Sequence, residues 1–290
     1  MSNKITLTDY LNKSKLAPQS VENYLYTINN FLKLHPKAKR YKYQNMVDYL
    51  AGVRLQYPNI QTSIRILSAV KKYYDYLVDT GQREDHPCQT LTVKKGNDQS
   101  VQLQDLFTSM ELEALMQREN RYRHLESRNK VMLSLLIYQG LTSNEIIRLE
   151  VDNIDLDMGQ VYLKASSKQL RRTLPLKANQ VSLFMRYIND TRPELKPKKT
   201  NKLIITKLGQ PITVDSINAM VEPLQALYPD RNLNPRTIRM SVIANLLNEK
   251  RAALEEVQRF AGHKWIGTTQ KYFKSNSAEQ REMINRFFPL

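Results

Sequence analysis

Apolar residues recur three and four positions apart through the first quarter of the chain, at Val21, Tyr24, Ile28, Phe31 and Leu32 and again at Ile64, Leu67, Val70, Tyr74 and Leu77. That period lines them along one face of successive helices. Pro18 with Gln19 and Ser20 marks a helix start, and Pro36 and Pro58 interrupt the pattern, so about four or five short helices are predicted from Leu7 to about Leu77. Periodicity fails between His86-Pro87 and Leu106, where KKGNDQSVQLQD (Lys94 to Asp105) is polar and carries a glycine. A linker is therefore placed at 94–105, between a helical domain at 1–93 and a second domain at 106–290.

The second domain mixes periods. Helical patterns near 109–119, 126–139 and 143–150 precede QVYLKASSKQLRRTLPL (Gln160 to Leu176), where β-favouring VYL and RTLPL flank a polar turn and predict a hairpin. A helix near 178–190, a short strand at Leu203 to Thr206, and helices over 213–227, 236–249 and 252–261 follow. Met283, Ile284, Phe287 and Phe288 recur at helical spacing in the tail, which predicts a last helix packed onto its own domain. The expected fold class is mainly α with a small β-sheet, the second domain being α+β.

Charge narrows the partners. In 290 residues, 44 Lys and Arg stand against 28 Asp and Glu, a net charge of +16, which draws the chain to a polyanion: nucleic acid first, an anionic membrane surface second. No apolar run approaches the roughly 18 residues of a membrane span, and MSNKITLTDYL lacks a signal-peptide core; a soluble, cytoplasmic protein is expected. The single cysteine, Cys88, excludes an intrachain disulfide and a cysteine-based zinc site. Four histidines without ligand spacing, and the lack of a Gly-rich phosphate loop, leave no metal or cofactor expected. Side chains must then supply the positive charge for any phosphate chemistry.

Four segments fall in one order: a helix ending GLTSNEI, a hairpin carrying Lys168, PRTIRMSVIANLL, and GHKWIGTTQKY. Together with the helical first domain they resemble the tyrosine recombinase (phage integrase) family across nearly the whole chain. The most specific part is a Gly-His followed nine residues on by a tyrosine, with Thr-Thr ahead of it. The resemblance implies a core-binding domain and a catalytic domain that clamp double-stranded DNA from opposite sides. It further implies a site built from an arginine in Gly-Leu-Arg-x-x-Glu, a hairpin lysine, a His-x-x-Arg pair, a His or Trp after glycine, and a nucleophilic tyrosine. Position by position, the sequence supplies Lys168, Arg239, His263 and Tyr272. Thr142 stands where the first arginine is expected, and Arg236 where the histidine of the pair is expected.

By that resemblance Tyr272 attacks a scissile phosphate to form a 3′-phosphotyrosine, for a mobile element and without a cofactor. Arg239 offers a planar fork to two phosphate oxygens, His263 donates to the phosphate, and Lys168 is the acid for the departing 5′ oxygen. Each role has a structural alternative. Tyr272 is one of 16 tyrosines; His263 follows a helix-capping glycine; Arg239, among Ile238, Val242, Ile243 and Leu246, suits a buried salt bridge; Lys168 is one cation in a solvated turn.

Losing one transition-state donor costs on the order of 10²- to 10³-fold, so the two departures matter. Thr142-Ser-Asn-Glu145 matches a capping box, a structural use for the threonine. Arg148, six residues along and about 240° round, points elsewhere. Arg171 and Arg172 face opposite sides of a strand, so one of them can reach the phosphate; contact with DNA backbone or solvent is the alternative for both. Arg236 keeps a cation but has no acid–base capacity. Two functions stay open: an active recombinase with rearranged cations, which the preserved residues favour, and a catalytically impaired relative that binds DNA as a regulator or partner subunit. A nicking topoisomerase-like activity is a smaller third. Lys71 and Lys72, before YYDYL, are the DNA-facing candidates of the first domain. A homo-oligomer on DNA, a synaptic tetramer by resemblance, and accessory DNA-bending proteins complete the expected partners.

Overall fold

The computed structural model describes residues 5–94, 103–118 and 125–273. Contacts divide the chain into two compact units, Met1–Gln99 and Ser100–Leu290. The predicted tail helix, with Met283, Ile284, Phe287 and Phe288, lies outside the described residues.

In the first unit α1 (Leu7–Lys13), α2 (Pro18–Leu34), α3 (Tyr43–Gln56) and α4 (Ile60–Asp79) surround a core of Ile28, Phe31, Met46, Val70, Tyr74 and Leu77. The helix boundaries follow the proline signals. Pro18 opens α2 in its first turn, where no donor is lost, and Asn59, after Pro58, caps α4 by accepting from the Gln61 amide at 2.9 Å. The buried Tyr74 hydroxyl is satisfied by the Ala38 carbonyl at 2.8 Å. Cys88 is buried and free, and burial pushes its thiol up to about 12.

The second unit is built on α6 (Glu126–Tyr138), whose residues from Val131 to Ile137 are all buried, so it is apolar on every side at that end. Against it pack α5 (Ser109–Met116), the short α7 (Ser143–Ile146), α8 (Ala178–Arg186) with a π turn at Tyr187–Thr191 and α9 (Arg192–Glu194), α10 (Val214–Val221), and α11 (Pro235–Asn248). A three-stranded antiparallel sheet, β1 (Ile154–Asp155), β2 (Gln160–Leu163) and β3 (Arg172–Pro175), carries the predicted hairpin, with Val161 opposite Leu174. Helices α12 (Leu254–Ala261) and α13 (Ile266–Gln270) follow. No helix among the described residues is long and apolar enough to cross a membrane.

Two sequence expectations are corrected. Leu203 to Thr206 is not a strand: Leu203, Ile204 and Ile205 are buried around the Tyr187 hydroxyl, which donates to the Leu203 carbonyl, and only isolated bridges form there. The helix expected over 143–150 ends at Ile146. Its backbone leaves to pair with that same segment, Leu203 donating to Leu149 and Val151 to Asn201.

Candidate active site

The site grows from a helix cap. Thr142 caps α7 by accepting from the Glu145 amide, and one Glu145 oxygen, Oε2, accepts in return from the Thr142 amide (2.9 Å) and hydroxyl (3.0 Å). The other, Oε1, accepts from Arg172 Nη1 at 2.6 Å, and Arg239 Nη1 lies 3.8 Å from Oε2. Glu145 therefore stands between two guanidiniums in a site from which water is nearly excluded. Burial pushes its carboxyl up, but the Arg172 hydrogen bond and charge, the Thr142 amide and Arg239 outweigh this and hold it below the usual range.

Arg239, one turn into α11, is buried and anchored: Nη1 donates to the Gly140 carbonyl (2.6 Å), and Nη2 donates to the Ala261 carbonyl (2.7 Å) and to His263 Nε2 (3.2 Å). A guanidinium only donates, so Nε2 must accept. The imidazole proton then sits on Nδ1 and is donated to Thr269 Oγ1 at 2.8 Å. Burial first, and then the charges of Arg239 and Arg172, push the imidazole down to about 4, so it is neutral at physiological pH. As placed, His263 orients Arg239 and offers no proton to a phosphate.

The geometry also explains the spacing of the motif. Gly262 caps α12 at φ 69°, and a side chain there would bring its Cβ within 2.5 Å of Arg172 Nη1 and 2.9 Å of Cζ. A glycine is required both for the backbone and for the arginine beneath it. Leu170 donates to the Gly262 carbonyl at 2.9 Å, so the hairpin is joined to the Gly-His turn. The second threonine of Thr-Thr is the fully buried partner of the imidazole.

Tyr272 lies in the turn after α13, partly buried against Ile243, Leu247, Val257 and Ala261. Burial holds its phenol above the ordinary value, an effect that the charges of Arg239 and Arg236 offset only in part. Asn248, at the end of α11, donates to the Tyr272 carbonyl at 2.9 Å. Arg236 is exposed at the start of that helix. His263 and Tyr272 thus belong to turns on either side of α13 rather than to helices.

Lys168 and Arg171 are exposed on the hairpin. Arg172 is 9 % exposed and faces inward, donating to Glu145 and to the Phe260 carbonyl, while its Nη2 has no hydrogen-bond partner among the described residues. The first-domain pair is also engaged, Lys71 with the Gln89 carbonyl and Lys72 with Asp75, both at 2.8 Å. Sequence reasoning missed Glu145 as an ion-pair centre, Thr269 as the imidazole's partner, and Asn248. Only Glu145 had a signal, its place in the capping box.

A sequence profile described as the phage integrase family matches residues 105–279, and one described as the phage integrase N-terminal SAM-like domain matches residues 6–81. The chain belongs to the phage integrase family. This integrase is 28 % identical over 228 residues to a tyrosine recombinase XerD of Staphylococcus saprophyticus, covering 78 % of this chain and 75 % of that one. It is 26 % identical over 249 residues to XerD of Staphylococcus haemolyticus, covering 85 % and 82 %. Among solved structures, the XerH site-specific recombinase bound to palindromic difH superposes with a TM-score of 0.74 at 20 % identity, over 93 % of this chain and 80 % of that one. The Tn1549 transposon integrase with a circular-intermediate DNA gives 0.67 at 13 % identity, over 96 % and 99 %. At these identities the structural matches establish the fold.

Proposed function

We propose that this integrase is a site-specific DNA recombinase that breaks and rejoins duplex DNA through a 3′-phosphotyrosine on Tyr272, acting for a mobile element and without a cofactor. The observation that carries the proposal is that α11 holds Arg239, hydrogen-bonded to His263, and through Asn248 also holds the turn bearing Tyr272, so cation and candidate nucleophile belong to one packed unit. The names of the matched relatives, tyrosine recombinases, support the same reading.

Tyr272 Oη attacks the scissile phosphorus, forming the phosphotyrosine ester as the bond to the 5′ oxygen breaks. The phenolic proton passes to solvent, and Lys168 protonates the leaving oxygen. Rejoining is the reverse, with a 5′-hydroxyl as nucleophile. Arg239 has five N–H donors and uses three on Gly140, Ala261 and His263, leaving 5 − 3 = 2 for phosphate oxygens. Arg236 adds a second cation in place of the one absent at Thr142. By family resemblance the two domains clamp the duplex, and a homo-oligomer assembles on it with accessory DNA-bending proteins.

One observation favours a second reading, a DNA-binding relative with impaired chemistry: Thr142 is engaged as a cap and Arg172 is paired with Glu145, so the expected first arginine has no direct counterpart. A nicked suicide duplex, made from DNA recovered by binding to the full chain, separates the two. A denaturant-resistant protein–DNA adduct that disappears in Tyr272→Phe is the expected result; tight binding with no adduct selects the second reading.

A further inference from the structure

We propose that Trp265 is a DNA anchor, its indole packing against a nucleotide near the scissile phosphate; this rests on the reading of Tyr272 as a nucleophile toward DNA. Trp265 is the chain's single tryptophan and is 77 % exposed, although it stands between the buried His263 and the fully buried Thr269. Tryptophan is among the most extensively buried residue types on average. Here its flanks are fixed in the interior, and the ring is held out in water. Ile266 and Phe273 from the same segment are exposed too, as is Leu170, which is tied to Gly262 by its backbone amide.

The surrounding charge selects the partner. Lys264 and Lys271 beside the indole, and Lys168 and Arg171 on the joined hairpin, are all exposed. Neither Ala261–Phe273 nor Lys164–Lys177 contains an Asp or Glu. An apolar ring on a segment whose charged side chains are all basic suits nucleic acid, whose phosphates meet the cations while a base or sugar meets the ring. The same patch of a second copy would bring like charges together. Trp265 and Tyr272 are seven positions apart, mostly through α13, or about 10 Å at ~1.5 Å per residue, so the indole lies within a few nucleotides' reach of the phosphate that Tyr272 would attack.

Because the tryptophan is unique, its own emission is the readout. The full chain is titrated with a fluorescein-labelled random-sequence duplex at low salt, following anisotropy together with intrinsic emission excited on the red edge to exclude tyrosine. The expected result is an emission change along the binding isotherm, a roughly 5- to 100-fold loss of affinity in Trp265→Ala, and retention of most affinity in Trp265→Phe. Anisotropy that saturates with emission unchanged, or an alanine variant that binds as wild type, overturns the anchor and leaves the recombinase reading standing. Emission that changes with protein concentration in the absence of DNA, and no further when DNA is added, assigns the indole to a second copy and also overturns it. No binding of any duplex overturns both.

Discussion

Arg171 and Arg172 are neighbours in sequence and opposites in surroundings. Arg171 stands in solvent on a turn with Lys168, whereas Arg172 is packed under Gly262 and paired with Glu145. The buried region fixes each charge before a ligand arrives, which is what transition-state stabilisation requires. The turn leaves its charges able to adapt, which suits contact with a polyanion of variable shape. β3 begins at Arg172, so an exposed and a buried cation meet where the turn enters the strand.

The largest expected break in that contrast is Glu145→Gln, which leaves Arg172 and Arg239 buried without their shared carboxylate. Removing one partner of a buried pair costs about 3–5 kcal/mol, so the midpoint of urea unfolding should fall accordingly; a midpoint within the error of wild type would show that the carboxylate holds nothing together. Next is Arg239→Lys, predicted to slow adduct formation by roughly 10²- to 10³-fold while leaving duplex affinity nearly intact. Equal losses in binding and cleavage would place Arg239 among the general DNA contacts instead. Gly262→Ala follows, at about 1–3 kcal/mol from its positive φ alone, with the contact to Arg172 adding to it; thermal unfolding measures the sum.

Acid tests the buried region more gently. His263 is held near 4 against an ordinary 6.5, so below pH 6.5 the unfolded chain takes up the proton before the folded one does. The stability this group contributes is complete above about pH 6.5 and falls as pH drops toward 4. His263→Gln should flatten that interval of the stability curve, and a wild-type curve already flat there would contradict the assignment. The smallest effect belongs to the exposed side of the contrast. Arg171→Ala should weaken duplex binding by less than about 1 kcal/mol and lower the salt slope by about one, with unfolding unchanged.

How far the sequence foretold this depends on how local each cause is. The capping box at Thr142 was legible because its partners lie three residues apart, as were the proline-marked boundaries of α2 and α4 and the alternation of the hairpin. Alternation says that Arg171 and Arg172 face apart but not which one turns inward. That is decided by the Phe260 carbonyl, 88 residues further on, and by the space above Gly262. The second oxygen of Glu145 was invisible for the same reason. At 203–206 a β-favouring run was misjudged because its carbonyls and amides answer to Tyr187 and to the backbone at 149–151, contacts that no short window contains.

One rod, α11, carries Arg236 and Arg239 at its beginning and holds the Tyr272 carbonyl through Asn248 at its end. Nearly all of it is interior, whereas α13 is five residues long and has exposed flanks. In hydrogen-exchange terms these are different foldons: the amides of α11 should be among the last to open and those of α13 among the first. Under the proposed function, the nucleophile follows a short helix expected to open early and Arg239 sits on one expected to open late. In that case a brief local melting would withdraw Tyr272 while Arg239 keeps its place.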